Sequence, residues 1–162
     1  MNMEFKRKLP IPMEIKQQYP LTTELKAIKL KRDEEIKSIF DNRDDRLLLI
    51  IGPCSADRDD SILDYISRLA KIQETVSDKI LILPRLYTNK PRTTGDGYKG
   101  MLHQPDPNKE SDILKGVVAT RNLHMRVIQE TGFTCADEML YQKSIRQLVE
   151  RIGAICFASL SP

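Results

Sequence analysis

From Arg46 onward the chain carries four short runs that are apolar at consecutive positions, near residues 46–53, 79–87, 133–139 and 153–158, and these limit its possible folds most. A strand with one face in water alternates apolar and polar side chains; a strand covered on both faces does not. Helices crossing over a parallel sheet cover both faces, so the expected class is α/β. The intervening segments read as those helices. One spans about 60–75, with Ile62, Ile66, Leu69 and Ile72 at helical spacing. A second spans about 112–131, with Ser111 as N-cap, Ile113, Val117, Leu123, Val127 and Ile128 apolar, and Gly132 as its stop. A third spans about 142–152, using Ile145, Leu148 and Ile152.

The chain before the first strand has a different character. Pro10, Pro12 and Pro20 break residues 1–21, which read as an extended arm that packs on something else. Thr22 or Thr23 caps a helix running to about Asn42, whose apolar stripe of Leu25, Ile28, Ile36, Ile39 and Phe40 is imperfect. Two units are therefore expected: arm and helix over 1–42, and strand–helix repeats over 43–162.

Charge excludes some functions. The 26 basic and 23 acidic residues among 162 leave a net +3, too little to argue for a nucleic-acid or membrane partner. Apolar runs of about five residues fall far short of the ~20 that cross a bilayer. Met1 to Lys8 lacks the apolar core of a signal peptide, so a cytoplasmic location is expected. Cys54, Cys135 and Cys156 are widely spaced and odd in number, which favours reduced thiols over a disulfide framework or zinc cluster.

The chemistry-bearing residues gather where strands end. Arg85, Lys90 and Arg92 sit at or just past the carboxyl end of the second strand, where α/β folds place ligands, with Lys99 in the same long loop and Pro91 stiffening the backbone between two cations. Guanidinium and ammonium groups together suit a doubly anionic, phosphorylated small molecule. Gly52-Pro53-Cys54-Ser55 ends the first strand and turns a thiol toward the same rim, as nucleophile or soft metal ligand. Asp137-Glu138 ends the third strand; Glu138 either points into that cleft or forms an exposed carboxylate pair with Asp137. Gly95-Asp96-Gly97-Tyr98-Lys99-Gly100 matches a dinucleotide-binding spacing, yet Pro105 and Pro107 intervene before any helix, so it reads as a flexible loop. His103 and His124 have no partner at metal-ligand spacing and read as structural or solvated.

Taken in order, Asp44-Asp45-Arg46-Leu47-Leu48, Ile51-Gly52-Pro53-Cys54-Ser55, Arg85-Leu86-Tyr87, Lys90-Pro91-Arg92-Thr93, Gly97-Tyr98-Lys99-Gly100 and Ala136-Asp137-Glu138-Met139-Leu140 resemble the microbial-type 3-deoxy-D-arabino-heptulosonate 7-phosphate (DAHP) synthases. The resemblance implies a (β/α)8 barrel with an N-terminal extension, a cytoplasmic homo-oligomer when intact, and condensation of phosphoenolpyruvate with erythrose 4-phosphate at a divalent metal. By similarity Cys54 is a metal ligand, Arg85 contacts phosphoenolpyruvate, and Lys90 is a catalytic lysine near both substrates. Arg92 and Thr93 match erythrose 4-phosphate contacts, Glu138 a glutamate near the phosphoenolpyruvate phosphate, and Lys99 is a weaker substrate contact.

After Gly153-Ala154-Ile155 the sequence departs from the family pattern, reading Cys156-Phe157-Ala158-Ser159-Leu160-Ser161-Pro162 where a Gly-Ala-Arg strand end would follow. A barrel takes about 250 residues, so the expectation is its N-terminal half, about four strands, without the family's remaining metal ligands and therefore inactive alone. The alternative is a non-catalytic half-barrel that binds phosphate or a partner chain. A small nucleic-acid binder is disfavoured by the balanced charge and the lack of interleaved aromatics.

Overall fold

The computed structural model describes residues 9–90, 96–138 and 155–157. Its elements are α1 (Pro12–Gln18), α2 (Thr23–Phe40), β1 (Leu47–Ile51), α3 (Asp59–Val76), β2 (Ile80–Pro84), α4 (Ile113–Thr131), β3 (Ala136–Glu138) and β4 (Ile155–Phe157). The strand–helix alternation is as the apolar runs predict. The helix expected over 142–152 lies outside the described residues.

β1 and β2 pair in parallel from Leu47 opposite Ile80 to Ile51 opposite Pro84. β3 and β4 pair in parallel from Ala136 opposite Ile155 to Glu138 opposite Phe157. One parallel bridge, Arg85 to Ala136, joins the two pairs, so the strands follow chain order. Consecutive apolar residues are explained by cover on both faces. On one, Leu81, Leu83 and Ala136 pack with Ile36 of α2. On the other, Ile82, Leu86 and Cys135 pack with Ile62, Ile66 and Leu69 of α3 and Leu123 and Val127 of α4.

β3 is shorter than the expected 133–139, and the edge of β2 shows why. Arg85 N–H bonds Ile51 of β1, so the alternate residues Ile80 and Ile82 turn their backbone away from β1. Side chains fill that edge: Gln73 accepts from Ile82 N–H at 2.7 Å and donates to Ile80 C=O at 2.8 Å. The buried Arg32 donates to Ile82 C=O at 2.6 Å. Only beyond them does Leu86 N–H reach Ala136 C=O, at 3.0 Å. Gln73 also corrects the α3 stripe, because it takes the turn after Leu69 while Ile72 is 49% exposed.

Other departures have local causes. The arm is not wholly extended: Pro12 starts α1 with its preset φ, and Glu14 accepts from Ile11 N–H at 2.9 Å. Ile15 is buried against Leu102 and Val117. Arg121 Nε donates to Tyr19 C=O at 2.7 Å, fastening the arm to α4. Thr22 caps α2 by accepting from Leu25 N–H, while Phe40, expected in the stripe, is 66% exposed. Asp112 rather than Ser111 caps α4, accepting from Lys115 N–H at 3.1 Å. Gly132 closes that helix at φ 72°.

Candidate active site

The ends of β1 and β2 are drawn together by backbone contact. Arg85 N–H donates to Ile51 C=O at 2.8 Å, and the Arg85 guanidinium donates to Pro53 C=O at 3.1 Å. A Cβ built on Gly52 would lie 1.8 Å from the Arg85 carbonyl oxygen, so the close approach needs glycine. Cys54 then emerges exposed at the rim.

Past β2 the chain curls across the sheet end. Tyr87 adopts φ 61°, a left-handed conformation uncommon for an aromatic residue. Its carbonyl accepts from Ala56 N–H, and its ring lies under the Arg85 guanidinium, 4.4 Å from the centroid. Thr88 and Asn89 are buried, and Lys90 returns to the rim, where Nζ donates to Cys54 Sγ at 2.8 Å. Lys90 N–H bonds Lys99 C=O at 3.0 Å, placing the long loop alongside.

Three predicted residues, Cys54, Arg85 and Lys90, thus meet at one rim, and Lys99 adjoins through its backbone. Arg92 and Thr93 lie outside the described residues, as does the side chain of Glu138, whose backbone ends β3. The reading of Asp137 as half of an exposed carboxylate pair is wrong. Asp137 is fully buried, accepts from Thr88 N–H at 2.9 Å and Thr88 Oγ1 at 2.6 Å, and lies 3.4 Å from His124 Nε2. Sequence reading missed Thr88 and this network, although a carboxyl in a strand covered on both faces signals a buried partner. Cys135 is buried, and desolvation foremost, with Asp137 adding, pushes its thiol well above the ordinary range, so it is inert. Cys156 has no described side chain.

A profile of the DAHP synthetase I family matches residues 15–156. The chain belongs to this family. It is 35% identical over 126 residues to the phenylalanine-inhibited phospho-2-dehydro-3-deoxyheptonate aldolase of Saccharomyces cerevisiae, covering 78% of this chain and 33% of the yeast protein. It is 31% identical over 140 residues to the Tyr-sensitive aldolase of Escherichia coli, covering 86% of this chain and 39% of that protein. The solved aldolase from Francisella tularensis SCHU S4 superposes with TM-score 0.82 at 28% identity, over 93% of this chain and 43% of that one. This DAHP synthetase family chain therefore spans between 32% and 39% of the length of the curated relatives it matches.

Beside this rim, Gly97 and Gly100 take positive φ, and residues 101–103 form a turn rather than a helix; Gly95 lies outside the described residues. Burial, with Asp57 nearby, pushes the Tyr98 hydroxyl up to about 12, and it donates to Ala56 C=O at 3.0 Å. A polar cavity of about 840 Å3 opens elsewhere, between Asp57–Asp60 and Pro105–Asn108. Its guanidiniums are already paired, Arg58 with Asp60 and Arg126 with Asp59. No helix among the described residues is long and apolar enough to cross a membrane.

His103 gives a pH test of the loop. Burial, with Lys99 close by, holds its imidazole below the ordinary value of 6.5. Below that pH the unfolded chain takes up a proton that the folded chain resists, so stability falls until the folded imidazole protonates too. The urea midpoint should drop over this range in the wild-type chain and drop less in His103→Gln.

Proposed function

We propose that this chain supplies part of the active-site rim of a DAHP synthase. The reaction joins phosphoenolpyruvate to erythrose 4-phosphate with uptake of water, giving DAHP and inorganic phosphate. The observation that supports this most is the meeting of Cys54, Arg85 and Lys90 where β1 and β2 end. In this reading residues 43–162 are about half of a (β/α)8 barrel, and residues 1–42 are its arm and helix. In the same reading the protein works as a cytoplasmic homo-oligomer.

The chemistry asks for fixed positive charge. Arg85, held over Tyr87 and against Pro53, presents a planar fork suited to the phosphate or carboxylate of phosphoenolpyruvate. Lys90 offers a mobile point charge between the two substrates, able to compensate oxyanion charge as the enol carbon attacks the aldehyde. Arg92, Thr93, Glu138 and Lys99 complete the proposed substrate contacts. The family's divalent metal would polarise the aldehyde oxygen. Cys54 fits one ligand position of such a metal, but no group of three or more His, Cys, Asp or Glu side chains among the described residues could hold one.

The test is DAHP formation with divalent metal by the purified chain alone, and by the chain mixed with a separate polypeptide carrying the remaining barrel of a relative. No turnover is expected alone. Metal-dependent turnover is expected in the mixture and should vanish with Cys54→Ala in this chain. A mixture that assembles but stays inactive would favour a non-catalytic phosphate-binding half-barrel.

A further inference from the structure

We propose that Asp137 is the positioning residue for Lys90, holding the buried segment Thr88-Asn89 so that the Lys90 ammonium meets Cys54. The segment follows directly on an unfavourable turn at Tyr87, whose φ is 61°. Such a conformation persists only where its surroundings fix it. Most of the fixing falls on Thr88. Its carbonyl accepts from Leu102 N–H at 2.9 Å, while its N–H and Oγ1 both donate to Asp137, at 2.9 and 2.6 Å. Thr88 and Asp137 are each fully buried, so water cannot substitute for either bond.

His124 of α4 extends the same network, with Nε2 3.4 Å from Asp137 Oδ2. The three residue types resemble a nucleophile relay, but the order is wrong: the carboxyl stands between hydroxyl and imidazole. All three are at most 1% exposed, so no substrate reaches them. Their effect is mechanical. β3 carries Asp137 beside the end of β2, and through Thr88 it clamps the two residues before Lys90.

This proposal rests on reading Lys90 as a substrate-site lysine, yet its test reads only where Lys90 lies. Succinimidyl iodoacetate, whose short arm joins an amine to a thiol, is reacted with the full chain. The Cys54–Lys90 linked peptide is quantified by mass spectrometry at equal folded fraction. Wild type and Thr88→Ser, which keeps the hydroxyl, should give the same yield. Thr88→Val and Asp137→Ala should lose about fivefold or more, the population change that loss of a buried hydrogen bond produces. Ile66→Val, a core change remote from the network, should lower stability without lowering yield.

Wild-type hydrogen exchange gives a reading that needs no variant: the Thr88 amide, bonded to a side chain rather than a strand, should exchange only with global unfolding. Folded Thr88→Val with wild-type yield, or a rapidly exchanging Thr88 amide, would overturn the proposal. Lost substrate binding with normal cross-linking would instead count against the role of Lys90.

Discussion

Replacing Gly52 by alanine is expected to destabilise the chain by about 3 kcal/mol or more, the upper range for forcing atoms into a packed interior. The new Cβ would sit 1.8 Å from the Arg85 carbonyl oxygen, which is backbone and cannot rotate aside. Either β1 or β2 must shift, and the two are paired along their whole length, with β2 buried in the core. Folded domains hold only ~5–15 kcal/mol in reserve, so the loss should be plain in a urea-unfolding midpoint. The same shift moves Pro53 from Arg85 and Cys54 from Lys90. A Gly52→Ala chain with a wild-type midpoint would show that the strand ends are not in contact.

Removing the Asp137 carboxyl should cost a comparable amount. Asp137→Ala leaves the Thr88 N–H and hydroxyl buried without their acceptor, at about 1–3 kcal/mol for each stranded group. It also opens a small void beside His124. The expected total is about 3–5 kcal/mol, read as a lowered calorimetric midpoint. Because the penalty comes from stranded partners, the double change Asp137→Leu with Thr88→Val should recover part of it. A single Asp137→Ala change within ~0.5 kcal/mol of wild type, as for an ordinary surface substitution, would remove the network from the fold.

Local pattern carried much of this structure. Apolar strands without alternation announced a parallel sheet, and Gly52-Pro53-Cys54 and Arg85 to Lys90 announced the ends of two strands. Cys54 and Arg85 were legible because each follows closely on a strand end, so placing the strands places them, whereas Lys90 returns to the rim only through the turn at Tyr87. What stayed hidden depends on partners distant in sequence. Gln73 and Arg32 shorten β3 by occupying the edge of β2, and neither reads as a strand substitute. Asp137 is separated by 49 residues from Thr88, and only the folded chain brings the two together. α1 was obscured by its prolines, one of which in fact starts it.

The rim itself is tested most directly by calorimetric titration of phosphoenolpyruvate into the purified chain. Charge-assisted hydrogen bonds contribute ~1.5–3 kcal/mol each, so Arg85→Ala and Lys90→Ala should each weaken binding by about tenfold or more. Cys54→Ala, which removes no positive charge, should leave binding near wild type. Binding that survives both cation replacements unchanged, or no binding by the wild-type chain at all, would contradict a phosphoenolpyruvate site at the ends of β1 and β2.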